Sequence, residues 1–128
     1  MDEVGKFYEK DKFAHSVGIE LIEASGGKAK AKMEITEHHL NAFDTVHGGA
    51  IYALADMVAG MASNSNGNSA VAVNATISFL KAVSAGTLFA EAIEVSSNHK
   101  LAFYTINVTD EKGDLIAIVQ AMAYKKGT

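Results

Sequence analysis

The sequence predicts an α+β fold in which a curved antiparallel sheet of five to six strands wraps around one long central helix. Three observations carry that expectation. Apolar and polar residues alternate at strand period in one segment after another, most clearly from Lys28 to Thr36 and from Ser69 to Leu80. One run, HGGAIYALADMVAGMA from His47 to Ala62, is too long for a strand and carries no internal turn signal. That run is apolar on nearly every side, as a helix enclosed by other elements must be.

Taken in order, residues 2–13 place Val4, Phe7, Tyr8 and Phe13 at mixed three- and four-residue spacing among charges, which predicts a short amphipathic helix. Val17 to Ala24 reads as a strand, and Gly26-Gly27 as the turn of a hairpin. In the return strand Ala29, Ala31, Met33 and Ile35 face one way and Lys28, Lys30, Lys32 and Glu34 the other. One face is therefore buried and one wet. After the helix, Ser63-Asn64-Ser65-Asn66-Gly67 turns the chain into a strand over 69–80, with Val71, Val73, Ala75, Ile77 and Phe79 opposed to Asn74, Thr76 and Ser78. Strands over 87–96, 101–110 and 115–125 follow, each bounded by polar residues. The last two are largely apolar on both faces, and such strands are covered on both sides, by a helix or by another subunit.

The 128 residues suffice for one domain, 1–128, and are 48% hydrophobic and 20% charged, enough for a real core. A net charge of −4 argues against nucleic acid as a partner. No apolar run has the length of a membrane span and Met1-Asp2-Glu3 does not resemble a secretion signal, so a cytoplasmic location and no membrane partner are expected. The absence of cysteine removes disulfides, thiolate nucleophiles and cysteine-based zinc sites. No metal and no redox cofactor is expected.

Asp56 is the chemical anomaly. It is the one side chain within the helix that carries a charge at neutral pH, flanked by Ala53, Leu54, Ala55, Met57, Val58 and Ala59. A carboxylate in such surroundings is costly unless it is paired, hydrogen-bonded or used. The helix start adds a second feature. Asn41-Ala-Phe-Asp-Thr-Val-His47-Gly48-Gly49 runs a polar loop into a helix N-terminus through two glycines, where free N–H groups can hold a carbonyl oxygen as it becomes negative. Gly48, without Cβ, lets a substrate carbonyl approach the backbone.

The pattern Asn-x5-His-Gly-Gly-x6-Asp, formed by Asn41, His47, Gly48, Gly49 and Asp56, resembles the hotdog-fold acyl-CoA thioesterases, and the branch it looks most like is the PaaI-like (phenylacetate-degradation) thioesterases. The segment Val73-Asn-Ala-Thr-Ile-Ser-Phe-Leu-Lys81 is similar to that family's strand after the helix. The resemblance implies a hotdog fold, a dimer joined through edge strands, and pairing of dimers into a tetramer. It implies hydrolysis of an acyl-CoA, with an aromatic or a short- to medium-chain acyl group, to free acid and coenzyme A. The Gly48 N–H would form the oxyanion hole and Asp56 would be general base or nucleophile. Asn41 would orient the thioester or water, and His47 would support the loop and the carbonyl. Gly49, Tyr52, Asn74, Thr76 and Lys81 are further substrate-binding candidates, with the acyl chain expected near Tyr52, Leu54 and Met57. Two positions depart from the family: Ala72 stands where some relatives carry Ser or Thr, and Ala82 where many carry proline.

Spacing supports an oligomer independently. Gly48 and Asp56 are eight residues apart, roughly 12 Å along one helix, whereas base and oxyanion donor must both lie within about 3 Å of the reacting atoms. Two antiparallel helices related by a two-fold axis can each give Gly48 to one site and Asp56 to the other, so active sites are expected at the subunit interface. A non-catalytic acyl-CoA sensor on the same fold is the alternative, and a dehydratase using a catalytic His with an acidic partner a third possibility. His38-His39 reads as a surface turn, and Gly60 and Gly86 as glycines for close packing or turning.

Overall fold

The structure is a computed structural model that describes residues 3–126. Helices α1 (Glu3–Glu9) and α2 (Lys12–Ser16) lead into strands β1 (Ile19–Ser25) and β2 (Lys28–Glu34). After a 3-10 turn over Glu37–His39 comes the long helix α3 (Gly48–Ser63). Strands β3 (Ala70–Phe79), β4 (Thr87–Ser97), β5 (Leu101–Thr109) and β6 (Leu115–Lys125) complete the chain. The six strands form one sheet in the order β1-β2-β4-β5-β6-β3, with every neighbouring pair antiparallel. Helix α3 touches all six strands, so the sheet curls around it. No helix among the described residues is long and apolar enough to cross a membrane.

The β1–β2 hairpin turns where two glycines succeed one another. Gly26 and Gly27 both have positive φ (59° and 82°), the signature of a primed two-residue turn that matches strand twist. Along β2, Ala29, Ala31 and Met33 are buried, while Lys28, Lys32 and Glu34 are exposed, as the alternation predicts. The core lies between the inner faces of the strands and the side of α3 carrying Ile51, Leu54, Ala55, Val58 and Ala62, which recur at helical spacing. Leu54 and Val58 are fully enclosed, each contributing about 1.5–3 kcal/mol through burial. The enclosure of Leu54 corrects its assignment to an acyl-binding crevice.

Two local departures have physical causes. The expected single N-terminal helix is two, because Asp11 accepts from the Ala14 N–H and caps a new start at Lys12. In β3 the register slips between Ala72 and Asn74, leaving Val73 as a bulge. Ala75, Ile77 and Phe79 therefore pair with Ala121, Val119 and Ala117 on the inner face, whereas Val71 pairs with Tyr124 on the outer one. The regular alternation through Val71 and Val73 does not survive. Strand β3 is an edge of the sheet, and Val71, Val73 and Phe79 on it are exposed in the single chain.

Candidate active site

The loop that enters α3 is organised by one side chain. Asn41 Oδ1 accepts from the Phe43 N–H (2.9 Å), the Thr45 N–H (3.2 Å) and the Thr45 hydroxyl (3.2 Å). The Asn41 N–H donates to the Thr45 carbonyl at 2.7 Å, closing a tight loop in which Asp44 takes a left-handed φ of 61°. Aspartate tolerates that conformation better than a bulky or branched residue. With its oxygen committed to the loop, Asn41 has only its amide NH2 left to offer, and that group makes no hydrogen bond among the described residues.

His47 is the N-cap of α3. Its Nδ1 accepts from the Gly49 N–H at 2.8 Å, which leaves the ring proton on Nε2. A Cβ on Gly49 would come within 3.0 Å of that Nδ1, so glycine there keeps the cap intact. The N–H groups of Ala50 and Ile51 both donate to the His47 carbonyl. That accounts for every N–H of the first turn but one. The Gly48 N–H has no partner among the described residues, and it sits at the positive end of α3. Phe79 packs beside it, its Cζ lying 3.0 Å from where a Gly48 Cβ would stand.

Asp56 lies two turns further along α3 on the face turned away from the sheet. The single chain leaves it open to solvent, yet its carboxyl is pushed above the usual carboxylate range, first by desolvation against its apolar surroundings and then by the charge of Asp11. Tyr52, one turn before it on the same face, has its hydroxyl pKa raised by desolvation and by Asp56. Beside Asp56 opens a cleft of about 290 Å³, bounded by Phe7 and Asp11, by the second half of α3, by the start of β3 and by Tyr104. Asp56 is one of its walls, while Gly48 is not. Within one chain the oxyanion donor and the carboxylate thus remain apart.

A polar N–H left open at a helix start and a carboxylate with a raised pKa are groups that acyl-transfer chemistry can use, as oxyanion donor and as base or nucleophile. The Thioesterase superfamily profile matches residues 43–117, the stretch holding both. The chain belongs to the thioesterase superfamily. Its fold is the hotdog fold. A putative esterase of Archaeoglobus fulgidus is 37% identical over 119 residues, covering 92% of this chain and 77% of that protein. The acyl-coenzyme A thioesterase PaaI of Escherichia coli is 33% identical over 121 residues, covering 94% of this chain and 86% of its own. The solved structure of the E. coli PaaI protein superimposes with a TM-score of 0.92 over 96% of this chain and 90% of that one, at 31% identity.

Other candidate residues of this thioesterase fall in different places. Asn74 and Thr76 pair with Met122 and Gln120 on the outer face of the sheet, the face α3 does not cover, and line a separate hollow there. Lys81 reaches across to Asp114 (2.5 Å) and Asp110 (3.8 Å), so its ammonium is already matched by two carboxylates. Ala72 lines the Asp56 cleft and adds no hydroxyl to it.

Two residues take on parts that the sequence reading did not give them. His39 is buried, which corrects its assignment to a surface turn. Its Nδ1 accepts from the Thr36 N–H (2.9 Å) and its Nε2 donates to the Val17 carbonyl (2.6 Å). The His39 carbonyl accepts the His47 N–H at 2.7 Å, so this buried imidazole anchors the cap of α3. Asp11 perturbs Asp56 from 45 positions earlier in the chain, a proximity that no local spacing announces.

Proposed function

We propose that the protein hydrolyses acyl-coenzyme A thioesters to free acid and coenzyme A. Each site would take Asn41, His47 and Gly48 from one subunit and Asp56 of the partner subunit. The observation that carries this reading is the single unpartnered N–H of the first turn of α3, at Gly48, separated along its own helix from the only carboxylate of that helix. The exposed apolar edge strand β3 supplies the surface through which two chains would join, with each β3 extending the other's sheet.

The thioester carbonyl would lie against the Gly48 N–H, with the Asn41 amide as a second donor. In one route the Asp56 carboxylate takes a proton from water as the water oxygen adds to the carbonyl carbon. The tetrahedral oxyanion is held by Gly48, and its collapse breaks the carbon–sulfur bond, the leaving thiolate recovering the proton from Asp56. In the other route Asp56 itself attacks the carbonyl carbon, the carbon–sulfur bond breaks to release the thiolate, and water opens the resulting mixed anhydride, giving the free acid, the regenerated Asp56 carboxylate and the thiol once the protons of that water are shared between them. A raised carboxyl pKa suits a base or nucleophile, because a more basic oxygen takes up a proton or an acyl carbon more readily.

The test is free-thiol release from aromatic, short-, medium- and long-chain acyl-CoAs by wild type and by Asp56→Ala. Turnover in the wild type that collapses in the variant is expected. Binding without turnover in the wild type would favour a sensor, and undiminished turnover in Asp56→Ala would remove the carboxylate from the mechanism. A single turnover in heavy-oxygen water, followed by mass analysis of Asp56, separates the two routes.

A further inference from the structure

Resting on the hydrolase reading, we infer that the cleft beside Asp56 is the acyl pocket, and that Gly60 on α3 and Phe7 on α1 set the length of acyl group it accepts. The first observation is the cleft itself. At about 290 Å³ it stands near the lower end of small-molecule pockets, and it is walled mainly by apolar side chains, with Lys10, Asp11, Asp56, Ser63 and Asn64 as its polar lining beside Tyr104. An acyl group seated there would hold its carbonyl end towards Asp56 and its tail against Met57, Ala59 and Tyr104. Tyr104 also lines the cleft, its hydroxyl being occupied by Glu94 Oε1 at 3.1 Å.

The second observation is Gly60. A glycine inside a helix costs about 1 kcal/mol relative to alanine, and the usual structural reason is a neighbour that needs the space. Among the described residues there is none: a Cβ built on Gly60 meets nothing within 4 Å, and its φ is not positive. This corrects the expectation of close packing at that position. Gly60 opens directly onto the cleft, one turn beyond Asp56, where any side chain would project into it. Ala59, Ala70, Ala72 and Ala123 line the same space. The hollow exists because its walls carry short side chains, and a ligand tail gains what those side chains forgo.

The third observation is the outer wall. Phe7 is half-exposed in the single chain and lines the cleft from α1, next to Asp11 at the junction with α2. Apart from α1 and its junction, the cleft is walled by α3 and the sheet. Phe7 is thus a wall whose trimming enlarges the pocket without touching the core.

The test is kcat/KM over a series of straight-chain acyl-CoAs for wild type, Gly60→Ala, Gly60→Leu and Phe7→Ala, with circular dichroism and thermal melting as folding controls. Each methylene seated in the cleft is expected to raise kcat/KM roughly fourfold until the pocket is full. Gly60→Leu should move the optimum to shorter chains by several carbons, Gly60→Ala by less, and Phe7→Ala should move it to longer ones. Gly60→Ala keeps the test decisive if leucine disturbs folding. An unmoved optimum in folded Gly60→Ala and Phe7→Ala, or an equal loss on every chain length, overturns the inference while leaving Asp56-dependent hydrolysis intact. A wild type inactive on every thioester overturns the hydrolase reading and this inference with it.

Discussion

Replacing His47 by alanine tests how the oxyanion-binding end of α3 is held. The perturbation removes the Nδ1 that accepts the Gly49 N–H at 2.8 Å. Were Gly49 enclosed, an orphaned N–H would cost up to about 3 kcal/mol, but Gly49 is exposed and water can replace the lost acceptor in part. The cost therefore falls in the ordinary N-cap range, about 1 kcal/mol, or a melting shift of roughly 4 °C for a chain of this size. His47→Asn supplies an oxygen of comparable reach and should melt within about 1 °C of wild type, because asparagine is among the preferred N-caps. Gly49→Ala, whose Cβ would stand 3.0 Å from Nδ1, should lose the same hydrogen bond by displacing the ring. Combined with His47→Ala it should add little, the two changes breaking one contact. Thermal melts at a fixed protomer concentration read wild type and the four variants. Equal melting of His47→Ala and His47→Asn would show that the imidazole does not cap the helix, and the account of the open Gly48 N–H would lose its support.

Further outcomes follow from other contacts. The Asp56 carboxyl is held above the usual carboxylate range, so its protonated form is favoured by folding; the stabilisation is full below the unfolded pKa and is lost as pH rises through the folded one. Asp56→Asn should therefore be more stable than wild type at neutral pH, with the gap closing in acid, as urea titrations at several pH values can check. Asp11→Asn should shift the acidic limb of kcat/KM against pH downward, by less than the whole displacement of Asp56, since desolvation is the larger cause; an unmoved limb would remove Asp11 from the site. Gly48→Ala should lower kcat/KM by crowding Phe79, and Phe79→Ala in that background should restore part of it; additive losses would contradict the contact. His39→Phe leaves the Thr36 N–H and the Val17 carbonyl unmatched, and about 2 kcal/mol or more should be lost in urea denaturation.

Much of this architecture is legible in the residues because burial imposes a period. Lys28 to Glu34 alternates in the sequence and in its exposure, and β6 spans Leu115–Lys125 as its apolar run suggests. The bulge at Val73 escaped, because Val71 and Val73 fit an unbroken alternation equally well and only pairing with β6 reveals the slip. The facing of α3 escaped for a related reason. A helix apolar all round does not say that Leu54 turns to the sheet while Tyr52 and Asp56 turn away. At the site, the spacing of Gly48 and Asp56 carried the two-subunit argument by arithmetic alone. The burial of His39 depends on Val17, and the environment of Asp56 on Asp11 and Phe7, all brought close only by the tertiary fold.

The central claim is that one thioester is served by Gly48 of one subunit and Asp56 of the other, and hybrid oligomers test it most directly. Gly48→Pro is suited to the purpose. Proline is favoured at the first helical position, and His47 already has the extended conformation (φ −61°, ψ 135°) that a following proline requires, so the backbone accepts a change that deletes the open N–H, its Cβ adding the same crowding of Phe79 that Gly48→Ala brings. Asp56→Asn and Gly48→Pro, each inactive alone, would be co-expressed with different tags and the doubly tagged species measured for thiol release. Half of randomly assembled dimers are hybrids with one intact site of two, so the unfractionated mixture should recover about a quarter of wild-type activity. Activity that stays at the level of the parents in purified hybrids would contradict the shared site.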